Sequence, residues 1–440
     1  MNPAENQSIL EGHIERLLPG GLGCVSTPDG LVAIPGTAPG DDIRYEPLPG
    51  GGGLARGRLV EVLRPGPGRV EPVCPLYGEC GGCGLMHLGP EAVCAAKRDF
   101  LVDSLRRLGR VADAEQKVAP LVWPDQPLGY RIRAGLKVHR RTGKTLLGFH
   151  APESHRVVDL PSCPVLHGRL SDLLTPLREL ISTLAGGDGL PQVDGVVGFE
   201  GVGLVFHFLE SPSPADRQRL MGFSREQKLA GLWLQQGRKH TLERLVGGEY
   251  LHYRVAGMKV AFGPGDFIQG HAQENERLVA TTRAGVGTGR GSLWDLFCGV
   301  GNLTIPLAAM GRSEVLGVES YAPALQAARH NGERENLSIL SWRELDLFRP
   351  EKVASLPWGR EQVVVMDPPR TGAVAVARYL GGVVKGVSRC ERVVYVSCAP
   401  ATLARDVAIL QKGGWSLERV TPIEMFPHTV HVEAVAVLSR

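Results

Sequence analysis

The chain has 440 residues, 43% of them hydrophobic and 22% charged, which is more length than one hydrophobic core takes and the composition of an ordinary soluble globular protein. A formal charge of +3 and a pI near 8.4 are too mild to argue for nucleic-acid binding, so that function has to come from local patches. Met1 to Gln7 lacks a basic region followed by an apolar core, and no later run is apolar enough for a membrane span. A cytoplasmic protein with no membrane partner is therefore expected, with its nine cysteines free, metal-bound or catalytic.

From residue 8 to about 62, short apolar runs alternate with Gly and Pro turns. Strands at this spacing predict a small β-barrel of the OB type, whose open face commonly holds single-stranded RNA. Gly50 to Gly53 reads as a loop between strands, since no helix start follows. Next come Cys74, Cys80 and Cys83 on a Gly-rich loop, with five and then two residues between them. Glycine lets the backbone wrap closely, so three sulfurs can face one inorganic centre. Cys163 precedes Pro164 as Cys74 precedes Pro75, and is the candidate fourth ligand. The residues leave two centres open, an iron–sulfur cluster and a zinc ion held by four cysteines.

Residues 90 to about 110 have helical periodicity. From 128 to 156, seven Lys or Arg stand against one acid, Glu153. Tyr130-Arg131-Ile132-Arg133 and Leu136-Lys137-Val138-His139 alternate as strands, and the basic side chains are expected on one face that contacts RNA. Residues 168 to 260 alternate helix-like and strand-like segments around a turn at Gly186 to Gly189, without recognisable chemistry.

From about residue 262 the pattern is doubly wound. The run from Leu293 to Thr304 reads as strand, glycine turn and helix start, although Gly-x-Gly alone is not the dinucleotide fingerprint. The next strand ends in Glu319, 18 residues past Gly301, the distance at which a strand-end carboxylate reaches ribose hydroxyls; a nucleoside-bearing cofactor fits. Val363–Met366 delivers Asp367, and Pro368 and Pro369 stiffen a loop suited to a planar amide-like substrate edge. Val394–Ser397 carries Cys398 to the carboxyl end of a buried strand, and Pro400 opens a helix. A thiol at a helix N-terminus is expected to have a lowered pKa and to be a ready nucleophile, against the plainer reading of a small core cysteine. Glu433 interrupts an apolar strand, where a carboxylate needs a partner or a function.

Together these residues resemble the RNA uracil-C5 methyltransferases that use S-adenosylmethionine, particularly the iron–sulfur members that modify 23S ribosomal RNA. The likeness runs along nearly the whole chain: the TRAM-like barrel, the four cysteines, Tyr130-Arg131, the run from Ser154 to Asp159, Phe267-Ile268-Gln269, the Asp295 loop, Asp367-Pro368-Pro369-Arg370, Ser397-Cys398 and His431-Val432-Glu433. It implies a multidomain α/β protein, with a TRAM-like β-barrel over 1–65, a central iron–sulfur α+β domain over 66–262 and a Rossmann-like methyltransferase domain over 263–440. It also implies a 4Fe-4S cluster rather than zinc on Cys74, Cys80, Cys83 and Cys163. Gln269, Phe297, Asn302, Glu319, Asp346 and Asp367 match positions lining the family's cofactor and target-base pocket, Cys398 its nucleophile and Glu433 its general base. RNA is the expected partner, 23S ribosomal RNA or alternatively tRNA, and a monomer the expected state. Ala399 and His271 stand where the family usually has Asn, both expected beside the pocket. The rivals are a non-catalytic iron–sulfur RNA-binding module, against which the intact Cys398 and Glu433 argue, and a radical-type enzyme, whose cluster needs an iron left open by three-cysteine ligation.

Overall fold

A computed structural model of the protein describes residues 9–49, 54–141, 143–237, 242–382 and 389–440. The loop expected at Gly50 to Gly53 lies outside them. Six strands between Leu10 and Arg64 form one sheet. Its longest strand, Ala55–Arg64, pairs antiparallel with Asp42–Pro47 and, through its first residues, parallel with Gly30–Ile34. Two register shifts bend it, as bulges do, and the sheet curls over Ile14, Val25, Ile34, Ile43 and Tyr45.

Seven strands between Arg133 and Gly247 make a second sheet. Within it Gly201–Phe208 and Gly231–Gln236 are parallel and are joined by the helix Pro214–Glu226, whose start is capped by the Ser213 hydroxyl accepting from the Asp216 N–H. The hairpin Leu251–Val255/Met258–Phe262 leads from this sheet toward the third. Helix α1, Pro90–Arg107, opens on Pro90. Its buried Val93, Phe100, Leu101 and Leu105 share one apolar core with Trp294, Leu403 and Leu410 of the C-terminal region.

The C-terminal sheet contains β1 (Leu293–Leu296), β2 (Val315–Glu319), β3 (Leu340–Glu344), β4 (Val363–Met366), β5 (Arg392–Ser397), β6 (Ser416–Ile423) and β7 (Glu433–Ser439). Their spatial order is β3-β2-β1-β4-β5-β7-β6, and β7 runs antiparallel between β5 and β6. Val363 to Met366 and Val393 to Val396 are buried throughout, as continuous apolar strands covered on both faces should be. The order reverses between β1 and β4, which opens a crevice at the strands' carboxyl ends. Two helices flank it: α2, Ala272–Val286, and α3, Pro400–Lys412. Among the described residues no helix is long and apolar enough to cross a membrane.

Candidate active site

Sheet pairing brings Cys398 and Glu433, 35 residues apart in the chain, to one place. Ser397 at the end of β5 pairs with Ala434 near the start of β7, so Cys398 and Glu433 emerge from neighbouring strands at the same edge. Asp367 follows β4, the strand on the other side of β5. Gln269, just before α2, donates from Nε2 to Asp367 Oδ2 at 3.4 Å. Among the described residues, buried Gln269 Oε1 and Glu433 Oε1 have no partner, and orphaned acceptors at a sheet edge mark where a ligand's donors would go.

Burial dominates the electrostatics. It raises the Asp367 carboxyl to about 7, and burial followed by the nearby Asp367 carboxylate pushes Glu433 well above the ordinary carboxylate range. Such a pair titrates as a unit. The lowered pKa expected for Cys398 is not what the structure gives. Burial, then the Glu433 and Asp367 carboxylates, raise the thiol to about 11, with the Arg370 guanidinium opposing weakly. A helix start cannot outweigh two carboxylates and loss of water, and Ala399 offers α3 no side-chain cap.

Beside this group, the loop after β1 turns sharply. Gly299 and Gly301 have φ of 53° and 90°, and Phe297 is also left-handed at 64°, a strained state for a residue with a side chain that tends to persist at functional sites. The Gly299 N–H donates to Glu319 Oε2 at 3.1 Å, and Ser320 and Tyr321 donate to Oε1 at 2.7 and 2.8 Å. Glu319 is thereby aimed and still has lone pairs free. Asn302 has its side chain committed to the protein: it exchanges hydrogen bonds with Asn275 and accepts from the Tyr253 hydroxyl, all at 2.9 Å. Asp346 accepts from the Phe348 N–H at 3.0 Å, and the Phe297 and Phe348 rings stand 5.6 Å apart. Phe348 carried no sequence signal beyond being an aromatic two residues past Asp346. Under the loop, buried Asp295 accepts from the Thr304 hydroxyl at 2.5 Å, and burial raises it to about 7.

His271, two residues past Gln269, is tied into the protein's own structure. It is 2% exposed, accepts from the Glu274 N–H as the cap of α2, stacks on Tyr130 at 4.6 Å and bonds the Gln126 carbonyl through Nε2 at 3.2 Å. Asn and His can both supply a capping acceptor, so this departure from the family pattern is structural. The single basic face is corrected too. Arg131 bonds the Arg133 carbonyl and lies over the Phe149 ring, and Arg133 bonds the Asp266 carbonyl. Lys137 bonds Gln192, and Arg140 bonds the Leu184 carbonyl. Arg141, Lys144 and Arg156 are the exposed ones. Period-2 alternation gave the strand but not which polar side chains fold back onto their neighbours.

Cys74, Cys80, Cys83 and Cys163 line one cavity with Leu76, Met86, Phe149 and Leu160. Burial, then Cys163 and Cys80, push the Cys83 thiol up to about 12. Among the described residues no three His, Cys, Asp or Glu side chains are placed to hold a metal ion.

The profile of the tRNA (Uracil-5-)-methyltransferase family matches residues 217–440. A 23S rRNA (uracil(1939)-C(5))-methyltransferase of Alkalilimnicola ehrlichii is 37% identical over 96% of this chain and 94% of its own length. The chain belongs to the RNA uracil-C5 methyltransferases. A further member, from Methylococcus capsulatus and bearing the same name, is 34% identical over 98% of this chain and 97% of its own. The crystal structure of Pyrococcus abyssi tRNA (uracil-54, C5)-methyltransferase in complex with S-adenosyl-L-homocysteine superposes with a TM-score of 0.74 at 25% identity, covering 98% of this chain and all of that one. Membership makes the chain an S-adenosylmethionine-dependent enzyme of RNA.

Proposed function

We propose that the protein methylates C5 of a uridine in 23S ribosomal RNA, with Cys398 as nucleophile and Glu433 as the base that removes the C5 proton. The observation that carries the roles is the Ser397–Ala434 pairing, which sets a thiol and a carboxylate with a free Oε1 among the described residues at one sheet edge. Full-length identity of 34% and 37% to enzymes named for 23S ribosomal RNA favours that substrate over tRNA.

Uracil C5 is too weakly nucleophilic to take a methyl directly. S-adenosylmethionine supplies the methyl as an electrophile on a sulfonium. The Cys398 thiolate adds to C6, and the electron pair displaced toward C5 then forms the new C–C bond to that methyl as its bond to the sulfonium sulfur breaks and S-adenosylhomocysteine leaves. Covalent addition splits one hard step into two easier ones. Glu433 takes the C5 proton, the C5=C6 bond re-forms and the C6–S bond breaks, returning Cys398 as thiolate. A base stacked in folded RNA cannot reach the crevice and has to be flipped out. Gln269, Phe297, Glu319, Asp346 and Asp367 would hold the cofactor and the target base. Gln269 Oε1 supplies an unused acceptor and Glu319 an oriented carboxylate at the end of β2, as a nucleoside's hydroxyls require. Asn302 would act by fixing the glycine loop.

We further assign a 4Fe-4S cluster to Cys74, Cys80, Cys83 and Cys163. What supports the reading is that all four sulfurs line one cavity, as ligands of a shared centre must, and that the iron–sulfur members of the family carry cysteines at these positions. A division near residues 65 and 262 then separates an RNA-holding TRAM-like unit, the cluster-bearing segment and the methyltransferase unit.

The testing experiment incubates enzyme with S-adenosylmethionine and RNA from a deletion strain. Cys398→Ala should form no adduct while retaining S-adenosylmethionine binding. Glu433→Gln should accumulate a methylated protein–RNA adduct that survives denaturing electrophoresis. Wild-type turnover by Cys398→Ala would exclude the nucleophile, and 5-methyluridine appearing only in tRNA would move the substrate.

A further inference from the structure

We propose that Lys97 is a positioning residue for Glu433, fixing from below the loop that presents the proton-removing carboxylate; the inference rests on the role given to Glu433 above. Lys97 lies on α1, far from the crevice in sequence, and is 0% exposed. Its ammonium donates to Glu424 Oε1 at 2.5 Å and to the Phe426 carbonyl at 3.0 Å. Glu424 is buried as well, and among the described residues its Oε2 has no hydrogen-bond partner. A buried ion pair is a poor source of stability, because desolvating two charges offsets their attraction. Its use is better sought in what it holds in place.

The Phe426 carbonyl is a node. It receives Lys97 Nζ, the Thr429 N–H at 3.1 Å and the Thr429 hydroxyl at 2.9 Å. The Thr429 Oγ1 in turn accepts from the His431 N–H at 3.3 Å. Two residues later stands Glu433. His431 also meets the guanidinium of Arg370 through Nε2 at 3.1 Å, and Arg370 is the cation beside Cys398. Two more anchors reach the same loop from outside the sheet. The Tyr130 hydroxyl donates to the Pro427 carbonyl at 3.0 Å. The Gly84 and Leu85 N–H groups donate to the carbonyl of His428, a residue held at φ 65°. Lys97 is the buried charge of this clamp and binds both Glu424, at the loop's start, and the Phe426 carbonyl.

Removing the ammonium frees the Phe426 node and leaves Glu424 an unpaired buried acid, so three variants are compared in the full-length protein. Lys97→Met should lower kcat about 10- to 100-fold, the scale of a 1 Å misplacement, with the KM values for RNA and S-adenosylmethionine within about twofold of wild type. Because elimination is the step that needs Glu433, the methylated protein–RNA adduct should accumulate. Lys97→Met/Glu424→Gln removes the stranded charge, so its melting temperature should recover while elimination stays slow and the adduct persists. Lys97→Arg should restore part of kcat. Wild-type kcat in the double variant, or loss of activity in both methionine variants without adduct while Glu433→Gln does trap it, overturns the positioning role and leaves the base assignment standing. Absence of adduct in Glu433→Gln itself overturns the base assignment and the inference with it.

Discussion

Alkylation of Cys398 in the cofactor-free enzyme tests the electrostatics of the site directly. With the thiol at about 11 instead of the ordinary 9.0, the thiolate fraction at pH 8 is about 10⁻³ rather than about 10⁻¹. A more basic thiolate is also more nucleophilic, by about 0.4 to 0.5 log units per pK unit, which returns roughly tenfold. The Cys398 peptide, followed by mass spectrometry with iodoacetamide, should therefore react about tenfold slower than a small thiol at pH 8. Its rate should climb about tenfold per pH unit with a midpoint near 11. Asp367→Asn deletes one of the two carboxylates that disfavour the thiolate and should move the midpoint down. A rate at pH 7 equal to that of a free thiol, or a profile already level above pH 8, would refute the raised thiol.

Other outcomes follow from the same geometry. His271 is held neutral by burial, at about 4 against 6.5; a depressed base stabilises the fold above its unfolded pKa, and that contribution is lost as pH falls through 4. His271→Asn keeps a capping acceptor, so urea titrations between pH 6.5 and 4 should show it losing less stability than wild type, by up to about 3 kcal/mol at about 1.4 kcal/mol per pK unit. Anaerobically purified protein should absorb broadly near ~400 nm and carry about four irons, and Ser at Cys74, Cys80, Cys83 or Cys163 should remove both and impair folding; stoichiometric zinc would contradict the assignment. Charge reversal at Arg141, Lys144 and Arg156 should weaken RNA binding and flatten its salt dependence, whereas Arg133→Glu should show as lowered melting temperature; an unchanged salt slope in the triple variant would place RNA elsewhere.

The strands that carry the chemistry were readable because buried parallel strands are continuous apolar runs, as in Val363 to Met366 and Val393 to Val396, and because Gly299, Gly301, Pro368 and Pro400 punctuate them. Cys398, Asp367 and Glu319 could be placed at strand ends for that reason. Their charge states could not. The Cys398 thiol responds to Glu433 and Asp367, neighbours only through the β5–β7 and β4–β5 pairings, and no window of sequence contains all three. The same holds for Arg131 and Arg133, whose alternation is correct but whose partners, Phe149 and the Asp266 carbonyl, lie on other segments. His271, expected beside the pocket, also caps the helix that starts at Ala272, a role its spacing after Gln269 does not reveal.

The place of β7 has a consequence for how the enzyme is assembled and how it fails. β6 and β7 are adjacent in sequence and antiparallel, so they can pair as a local hairpin, whereas joining β7 to β5 also requires the intervening chain to close around them. Local contacts form more readily than distant ones, which makes docking of the hairpin onto β5 the later event. That docking is also what seats Glu433 next to Cys398. A molecule in which the hairpin has lifted away is inactive although most of its core is intact, and its cysteine, relieved of burial and of one carboxylate, behaves as an ordinary thiol. Inactivation by alkylation at moderate temperature should then track hydrogen exchange of the β7 amides rather than global unfolding. If alkylation keeps pace only with loss of the whole fold, the hairpin does not open on its own.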